Sequence, residues 1–281
     1  MYTKNEPLLK KLEEKEVLVA CHRGTCGGNI CQNNRLSYKI SLLSGADMVE
    51  MDVIKSTDGV FYAYHNGTEQ VNLDIDRDIR TMSSEEIDAQ QYYNWLHYPS
   101  GIKVAKMEDI LDEFEPQCLI NIDRAWHSDW KATIEAIKDR PNRQSILLKS
   151  PPEAELLQIL EDSGSDIMYM PIVKSVEDWN RCKEYNINVA AVEVIFNSLN
   201  HPLVQPEMFK EWKELGVLTW VNTITISNYE KHNISAWIGD NMAVEKGFDE
   251  GWGKLIDMGF DILQTDWPGL LTMYLEERKN R

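Results

Sequence analysis

The sequence has little positive charge and no long hydrophobic segment. Its 281 residues contain 29 Lys and Arg against 46 Asp and Glu, which gives a formal net charge of −17. We expect no nucleic-acid partner, because no basic stripe is present to neutralise phosphates, and an anionic membrane surface would repel the chain. Residues 1–16 are charged and helical in pattern, and they lack the apolar core of a signal peptide. With no run as long as a membrane span, we expect no integral membrane segment. We expect a cytoplasmic protein unless a signal peptide has been removed.

Two common motif types are also missing. The five cysteines are an odd number with no C-x-x-C pair, which argues against a disulfide framework and a zinc knuckle. No G-x-G-x-x-G segment opens a helix after the first strand, which disfavours an open, doubly wound nucleotide-binding sheet. That sheet remains the second choice of fold.

Short apolar runs alternate with helix patterns along the whole chain. Strands are predicted at 17–21, 48–54, 60–64, 118–123, 145–149, 167–173, 189–195, 217–222 and 262–265. Helices are predicted at 35–44, 107–115, 130–139, 152–163, 176–185, 205–215, 243–258 and 267–281. If 48–64 is one strand with a hairpin extension, eight strand–helix units result. These predict a single α/β domain over residues 1–281, a (β/α)8 TIM barrel. The irregular segments 67–105 and 223–241 are predicted as insertions over its C-terminal mouth.

Chemically active side chains follow several of these strands. His22 and Arg23 end the first strand, and His65 follows the hairpin extension. Glu50 and Asp52 lie two apart on the second strand and therefore on one face, where two acids repel unless a cation separates them. Asp123, at the end of the next barrel strand, supplies a third carboxylate. Oxygen ligands alone favour one divalent cation, Mg²⁺ or Ca²⁺.

These motifs together resemble those of the glycerophosphodiester phosphodiesterases, which are (β/α)8 barrels. HRG at 22–24 resembles the H-R-G of that family, and GADMVEMDV at 45–53 resembles its G-A-D-x-x-E-x-D-V. TDG at 57–59, His65, WVN at 220–222 and LQTDWP at 263–268 extend the resemblance over almost the whole chain.

The resemblance implies roles for individual residues. His22 and His65 are the implied general acid/base pair, and imidazole has a pKa suited to that task near neutral pH. Glu50, Asp52 and Asp123 are the implied ligands of the divalent cation, and Arg23 the implied ligand of the phosphate. The implied reaction cleaves a small phosphodiester to an alcohol and glycerol 3-phosphate.

The sequence also departs from the pattern of that family. Asn66 replaces an aspartate after the second histidine, and the Glu-x-Lys of the third barrel strand is replaced by Asp123 and Ala125. Because a phosphate-binding lysine is missing there, we predict Lys149, at the end of the next strand, as its replacement, with Arg124 second. Pro151 replaces the phenylalanine usual after that strand.

Two further residues are predicted to contact substrate. Trp220 lies near the end of a barrel strand, and Glu193 ends another strand near the mouth.

Two other functions remain open. One is the cleavage of a lipid phosphodiester, as by a lysophospholipase D or a sphingomyelinase D-like enzyme. Arg23 disfavours this alternative, because that group lacks an arginine after the first histidine. The other is a barrel that binds phosphodiesters without cleaving them, which has no need of two histidines. The alcohol group of the substrate and the oligomeric state do not follow from the sequence.

Overall fold

The computed structural model describes residues 5–115, 117–227 and 229–281, and it contains a closed eight-stranded parallel barrel. The strands of the described residues are β1 (Leu18–Cys21), β2 (Met48–Lys55), β3 (Phe61–Ala63), β4 (Ala105–Lys106), β5 (Leu119–Asp123), β6 (Ile146–Ser150), β7 (Met168–Val173), β8 (Ala191–Val194), β9 (Leu218–Asn222) and β10 (Ile262–Thr265). Strand β1 pairs with both β2 and β10, which closes the barrel. Strands β3 and β4 extend β2 by antiparallel pairing. The predicted (β/α)8 barrel is therefore confirmed.

Helices cover the outside of the barrel between successive strands. Those of the described residues are α1 (Glu6–Glu14), α2 (Arg35–Leu43), α3 (Glu69–Asn72), α4 (Ser84–Ala89), α5 (Met107–Phe114), α6 (Trp130–Ile137), α7 (Ala154–Asp162), α8 (Val176–Cys182), α9 (Pro206–Leu215), α10 (Asp240–Lys246), α11 (Lys254–Met258) and α12 (Pro268–Lys279). Among the described residues, no helix combines the length and the apolar character that crossing a membrane requires.

The predicted helix at 243–258 is wrong as one continuous element. Helix α10 ends at Lys246, and Gly247 follows with a φ of 116°, which L side chains rarely adopt. The chain then forms a π-helical turn, Asp249–Gly253, before α11 begins. A Cβ atom on Gly251 would lie 2.5 Å from the backbone nitrogen of Ala243, so only glycine allows this turn to pack against α10.

The interior of the barrel is layered. Side chains of alternate strand residues point inward, and those nearest the amino ends of the strands form an apolar cluster that includes Leu18, Met48 and Leu147. Helix α1, which precedes β1, covers this end by burying Leu8 and packing Leu12 against the cluster. Several residues of the same inward alternation nearer the carboxyl ends are polar, among them Glu50, Asp52 and Lys149, and they form the site described below.

The two predicted insertions differ in their structure. Segment 67–105 is more regular than expected, since it contains α3, α4 and β4 around a small apolar core of its own. A capping box between Ser83 and Glu86 begins α4, and its S-x-x-E spacing is visible in the sequence. Segment 223–241 is mostly irregular and, as shown below, contributes several side chains to a cleft at the barrel mouth.

Gly45, between α2 and β2, is expected to be sensitive to substitution. Its φ is 90°, and a Cβ atom there would lie 2.6 Å from Cγ2 of Thr272 in α12. Gly45→Ala should lower the free energy of unfolding by about 1–3 kcal/mol, as measured by urea denaturation. Gly59→Ala is the control, because Gly59 has a similar φ of 95° but a Cβ atom there would meet no other atom within 4 Å. If Gly45→Ala and Gly59→Ala lower the free energy of unfolding equally, the steric part of this prediction is refuted. It is also refuted if the loss caused by Gly45→Ala is no smaller when Thr272→Ala is added to the same protein.

Candidate active site

Three carboxylates converge at the carboxyl ends of β2 and β5. Glu50, Asp52 and Asp123 each offer an oxygen atom within 4.8 Å of the others. Strand register explains this, because Asp52 lies opposite Asp123 in the β2–β5 pair. Both acids of β2 are buried, and burial together with the charge of Asp52 raises the pKa of Glu50 to about 8. This cluster is unfavourable without positive charge beside it.

Asp52 receives part of that positive charge from Arg23. The Nε atom of Arg23 lies 2.9 Å from Oδ2 of Asp52, and Nδ2 of Asn33 donates a hydrogen bond of 2.9 Å to the same oxygen. Burial alone would raise the pKa of Asp52, but Arg23, His65 and Asn33 outweigh burial and lower it. Arg23 also donates its backbone N–H to Oε2 of Glu50 at 2.9 Å. Arg23 therefore contacts both acids of β2, Glu50 through its backbone and Asp52 through its side chain.

His22 is oriented by an aspartate from the other end of the chain. Its Nδ1 atom lies 2.8 Å from Oδ1 of Asp266, because β1 pairs with β10 and Cys21 lies opposite Thr265. Burial disfavours the protonated imidazole, but the Asp266 hydrogen bond and the charge of Glu50 outweigh it and raise the pKa of His22. Since Nδ1 is engaged, Nε2 is the nitrogen left for proton exchange.

Asp266 is itself held in place by a buried aspartate, Asp240. Oδ2 of Asp240 accepts the backbone N–H of Asp266 at 2.9 Å. Its Oδ1 accepts hydrogen bonds from Trp252 Nε1 and Thr265 Oγ1, each at 2.8 Å. This network connects α10 and the π-helical turn to the residue that orients His22.

His65, like His22, lies close enough to Asp52 to influence it, but its own pKa is shifted in the opposite direction. The pKa of His65 is lowered to about 4, chiefly by burial and also by the charges of Arg23 and Arg124, against the charge of Asp52. Its Nδ1 atom is buried and has no hydrogen-bond partner among the described residues. The pKa values of the two imidazoles are therefore shifted in opposite directions, and His65 is neutral at neutral pH.

Lys149 lies at the bottom of the site with its ammonium group between two acids. Its Nζ atom is 2.5 Å from Oδ2 of Asp123 and 3.1 Å from Oε2 of Glu193. Asn222 donates a hydrogen bond of 2.6 Å to the other oxygen of Glu193. Burial opposes the charge of Lys149, but the two acids outweigh burial and raise its pKa. Its ring contact with Trp220, 5.9 Å from Nζ to the centroid, places that tryptophan beneath it.

These groups line one cleft at the barrel mouth, with a volume of about 600 Å³. Of the nine predicted site residues, seven are in its lining: His22, Arg23, Asp52, His65, Asp123, Lys149 and Glu193. Glu50 lies just beneath, hydrogen-bonded to Arg23. Trp220 is fully buried and outside the lining, so its place is under Lys149 rather than beside the cleft.

The structure also places Asp266, Asn33 and Asp240, to which the sequence assigned no role, in or beside the site. Arg124, the second candidate for the missing lysine, has a left-handed φ of 62°, lines the cleft and donates a hydrogen bond of 2.9 Å to Oδ1 of Asn66. Asn66, which replaces the aspartate of the phosphodiesterase motif, thus holds the guanidinium group of Arg124. Asp266 was visible in the TDWP segment, but its pairing with His22 required the closed barrel. Asn33 and Asp240 had no sequence signal.

No curated protein matches the sequence. A family described as a domain of unknown function, DUF4996, matches residues 169–275, which is less than half of the chain.

Several solved structures superpose on almost the whole chain. A glycerophosphoryl diester phosphodiesterase from Parabacteroides distasonis superposes with a TM-score of 0.71 and 15% identity, over 95% of this chain and 88% of its own. The corresponding enzyme from Thermotoga maritima gives 0.63 and 18%, over 92% and 98%. A phosphodiesterase from Oleispira antarctica, in complex with the product sn-glycerol-3-phosphate, gives 0.65 and 17%, over 92% and 96%.

The chain has the fold of these phosphodiesterases. At such identities the likeness concerns the fold, and at that level it confirms the resemblance inferred from the motifs.

Among the described residues, two of the three acids, Glu50 and Asp52, each keep a carboxylate oxygen without a hydrogen bond or ion pair, which suits a divalent cation. The hydrogen bonds and the ion pair of Glu50 and Asp52 fall on Oε2 and Oδ2, which leaves Oε1 and Oδ1 for a metal. Asp123 uses its two oxygens for the Arg124 backbone N–H and for Lys149. Carboxylate oxygens with no thiol or imidazole among them suit Mg²⁺ or Ca²⁺.

Lys149 should be necessary for stability because it neutralises two acids at once. In Lys149→Met, Asp123 and Glu193 lose their counter-charge in a buried position, and the free energy of unfolding should fall by about 3–5 kcal/mol at neutral pH. Lys183→Met is the control, since its ion pair with Glu211 at 2.8 Å is on the surface and should contribute less than about 1 kcal/mol. Urea denaturation of both variants measures the difference, and similar losses would contradict the prediction.

Proposed function

We propose that this protein is a metal-dependent phosphodiesterase that cleaves glycerophosphodiesters to an alcohol and glycerol 3-phosphate. The observation that carries the proposal is the placement of two imidazoles with opposite pKa shifts, His22 and His65, around a three-carboxylate cluster in one cleft. General acid/base cleavage needs one group that gives a proton and one that takes it. The product bound to the structural neighbour from Oleispira antarctica supports the choice of substrate class.

In this proposal, Glu50, Asp52 and Asp123 hold one divalent cation, Mg²⁺ or Ca²⁺. The cation would polarise the phosphoryl oxygen and offset the charge of the acids. Arg23 and Lys149 line the same cleft and supply the fixed positive charge for the remaining phosphate oxygens. Arg23 is already paired with Asp52, and Lys149 with Asp123 and Glu193. A bound phosphate would therefore share these two cations with the acids.

The raised pKa of His22 favours it as the proton donor to the leaving alcohol. Its Nδ1 atom is held by Asp266, so Nε2 gives the proton. His65, neutral at physiological pH, is favoured as the acceptor of the proton from the attacking hydroxyl or water. A barrel that only binds phosphodiesters is disfavoured. The buried Nδ1 atom of His65, which has no hydrogen-bond partner among the described residues, lowers stability, and binding without cleavage does not need it.

Replacement of either histidine should abolish turnover without unfolding the protein. His22→Ala and His65→Ala should each lower kcat by at least about 100-fold, the lower range for general acid/base catalysis. The assay is release of glycerol 3-phosphate from glycerophosphocholine with added Mg²⁺ or Ca²⁺. His97→Ala is the matched control, since His97 is an exposed histidine of the 67–105 insertion. Chelation by EDTA should abolish the wild-type activity and either cation restore it; full activity after exhaustive chelation would contradict the metal proposal.

The pH dependence should reveal the influence of Asp266. Because Asp266 raises the pKa of His22, Asp266→Asn should move the limb of the kcat/KM profile that His22 sets to lower pH. If His22 donates the proton, this is the alkaline limb, and activity at high pH is lost earlier. Asp74→Asn, which breaks a similar but exposed contact to His97 at 3.1 Å, is the control. An unchanged profile in Asp266→Asn would exclude His22 as the titrating group.

A further inference from the structure

Gln264 is a buried side chain of the cleft to which the chemistry described so far gives no role. It is 2% exposed and lines the same cleft as His22 and Arg23. Its Oε1 atom is buried and has no hydrogen-bond partner among the described residues. An unpaired buried polar group is unfavourable, and a ligand that pairs with it removes that penalty. The carboxamide of Gln264 is therefore a candidate for contact with substrate.

The side chain of Gln264 points into the barrel from β10. Ile262, two residues earlier, belongs to the apolar cluster of the interior, and side chains alternate along a strand. The register partners of Gln264 are Asn222 on β9 and Ala20 on β1. Ala20 belongs to the same interior cluster, and its methyl group offers no polar atom to the carboxamide. Gln264 thus has one polar and one apolar neighbour across the sheet.

The polar neighbour of Gln264 already has its own partners. Asn222 donates a hydrogen bond of 2.6 Å to Glu193, and its Oδ1 atom accepts one of 3.3 Å from Nε1 of Trp220. Glu193 is in turn paired with Lys149. A row of polar contacts therefore runs across the barrel from β6 to β9. Gln264 on β10 is the next position, and its Oε1 atom receives no contact from this row.

Gln264 also lies beside the strand end that carries His22. The backbone N–H of His22 donates a hydrogen bond of 3.1 Å to the carbonyl of Thr265, the residue after Gln264. Asp266, which orients His22, follows one residue later and lines the same cleft. In the proposed reaction His22 gives its proton to the leaving alcohol. The leaving alcohol is therefore the part of the substrate that can reach Gln264.

A carboxamide in this position selects a hydroxyl group as its partner. A hydroxyl group donates and accepts hydrogen bonds, so it can pair with either polar atom of Gln264. A quaternary ammonium group has no hydrogen to donate and would leave Oε1 unpaired. A buried primary ammonium group needs a carboxylate beside it, and Glu193, the acid of the neighbouring row, is already paired with Lys149.

We propose that Gln264 is a specificity-determining residue that forms a hydrogen bond with a hydroxyl group of the leaving alcohol, so that diesters of a polyhydric alcohol are preferred. This inference rests on the proposed function and narrows its substrate class. The overall reaction is unchanged: water adds across the P–O ester bond of the leaving alcohol, and the products are glycerol 3-phosphate and the polyhydric alcohol.

Binding of two symmetric diesters tests the role of Gln264 without turnover. Glycerophosphoglycerol and di-n-propyl phosphate have the same carbon chains, but only the first carries hydroxyl groups. In the His65→Ala protein with a divalent cation, calorimetry should give glycerophosphoglycerol a Kd at least about tenfold lower, because propyl chains leave the buried carboxamide unpaired. Adding Gln264→Met, which keeps the chain length and removes the polar atoms, should bring the two Kd values together. Gln158→Met is the control, since Gln158 is exposed on α7 and outside the cleft. Equal Kd values before Gln264→Met, or an unchanged ratio after it, would overturn the inference.

The ligand-free protein gives a second readout, which separates a binding role from a structural one. If Gln264 serves a ligand, Gln264→Met removes an unpaired buried group and should leave the midpoint of urea denaturation unchanged or raise it. If Gln264 instead supports the fold, the midpoint should fall, and that result would overturn the inference.

Turnover of a matched pair of diesters separates this inference from the proposed function. Glycerophosphoglycerol should give a kcat/KM at least about tenfold above that of glyceryl n-propyl phosphate, whose leaving alcohol has no second hydroxyl group. If both are cleaved equally well, the role of Gln264 is refuted and the phosphodiesterase proposal stands. If neither is cleaved, nor bis(p-nitrophenyl) phosphate, the proposed function is refuted, and the ratio of the two Kd values alone decides whether Gln264 selects a hydroxyl group.

Discussion

The site depends on a balance of buried charge at the carboxyl ends of the barrel strands. Four carboxylates meet there, those of Glu50, Asp52, Asp123 and Glu193, and two of the side-chain cations of the cleft, Arg23 and Lys149, form ion pairs with them. Burial, together with the charge of Asp52, raises the pKa of Glu50, so this acid would gain from further positive charge. A bound divalent cation would complete the balance, and a phosphate would then enter a site of nearly neutral total charge. An arrangement that holds a divalent cation would therefore also prepare an anion site.

The barrel makes this balance possible by aligning short strands. Inward-pointing residues are apolar near the amino ends, where α1 covers the interior. Two residues further along, β2, β6 and β8 carry Glu50, Lys149 and Glu193. The pairing of β1 with β10 joins His22 to Asp266, although 244 residues separate them. Asp240 and the turn at 249–253 then fix Asp266 from outside the barrel. The unusual break after α10 is thus connected to the orientation of a candidate catalytic histidine.

Polar and apolar chemistry are divided between the scaffold and a loop. The strands and the residues that directly follow them supply the charged groups. Pairing between neighbouring strands keeps the distances between these groups fixed. The 223–241 insertion supplies apolar side chains of the cleft lining, including Ile224, Ile226 and Ile234. Binding preferences can change through such a loop without disturbing the acids beneath it.

The sequence by itself determined the positions of the barrel strands, because each is an apolar run bounded by polar residues. It also determined the core of the site, since Glu50 and Asp52 share a strand face and His22, His65 and Asp123 follow strand ends. Tertiary structure alone decided how these groups pair. Which acid meets Lys149, and that Trp220 lies beneath it, depend on the register of neighbouring strands. The isoleucines that line the cleft, among them Ile172, Ile195 and Ile234, come from separate segments and look like ordinary core residues in the sequence. Local pattern specifies which face a side chain occupies, whereas only barrel closure specifies its neighbours.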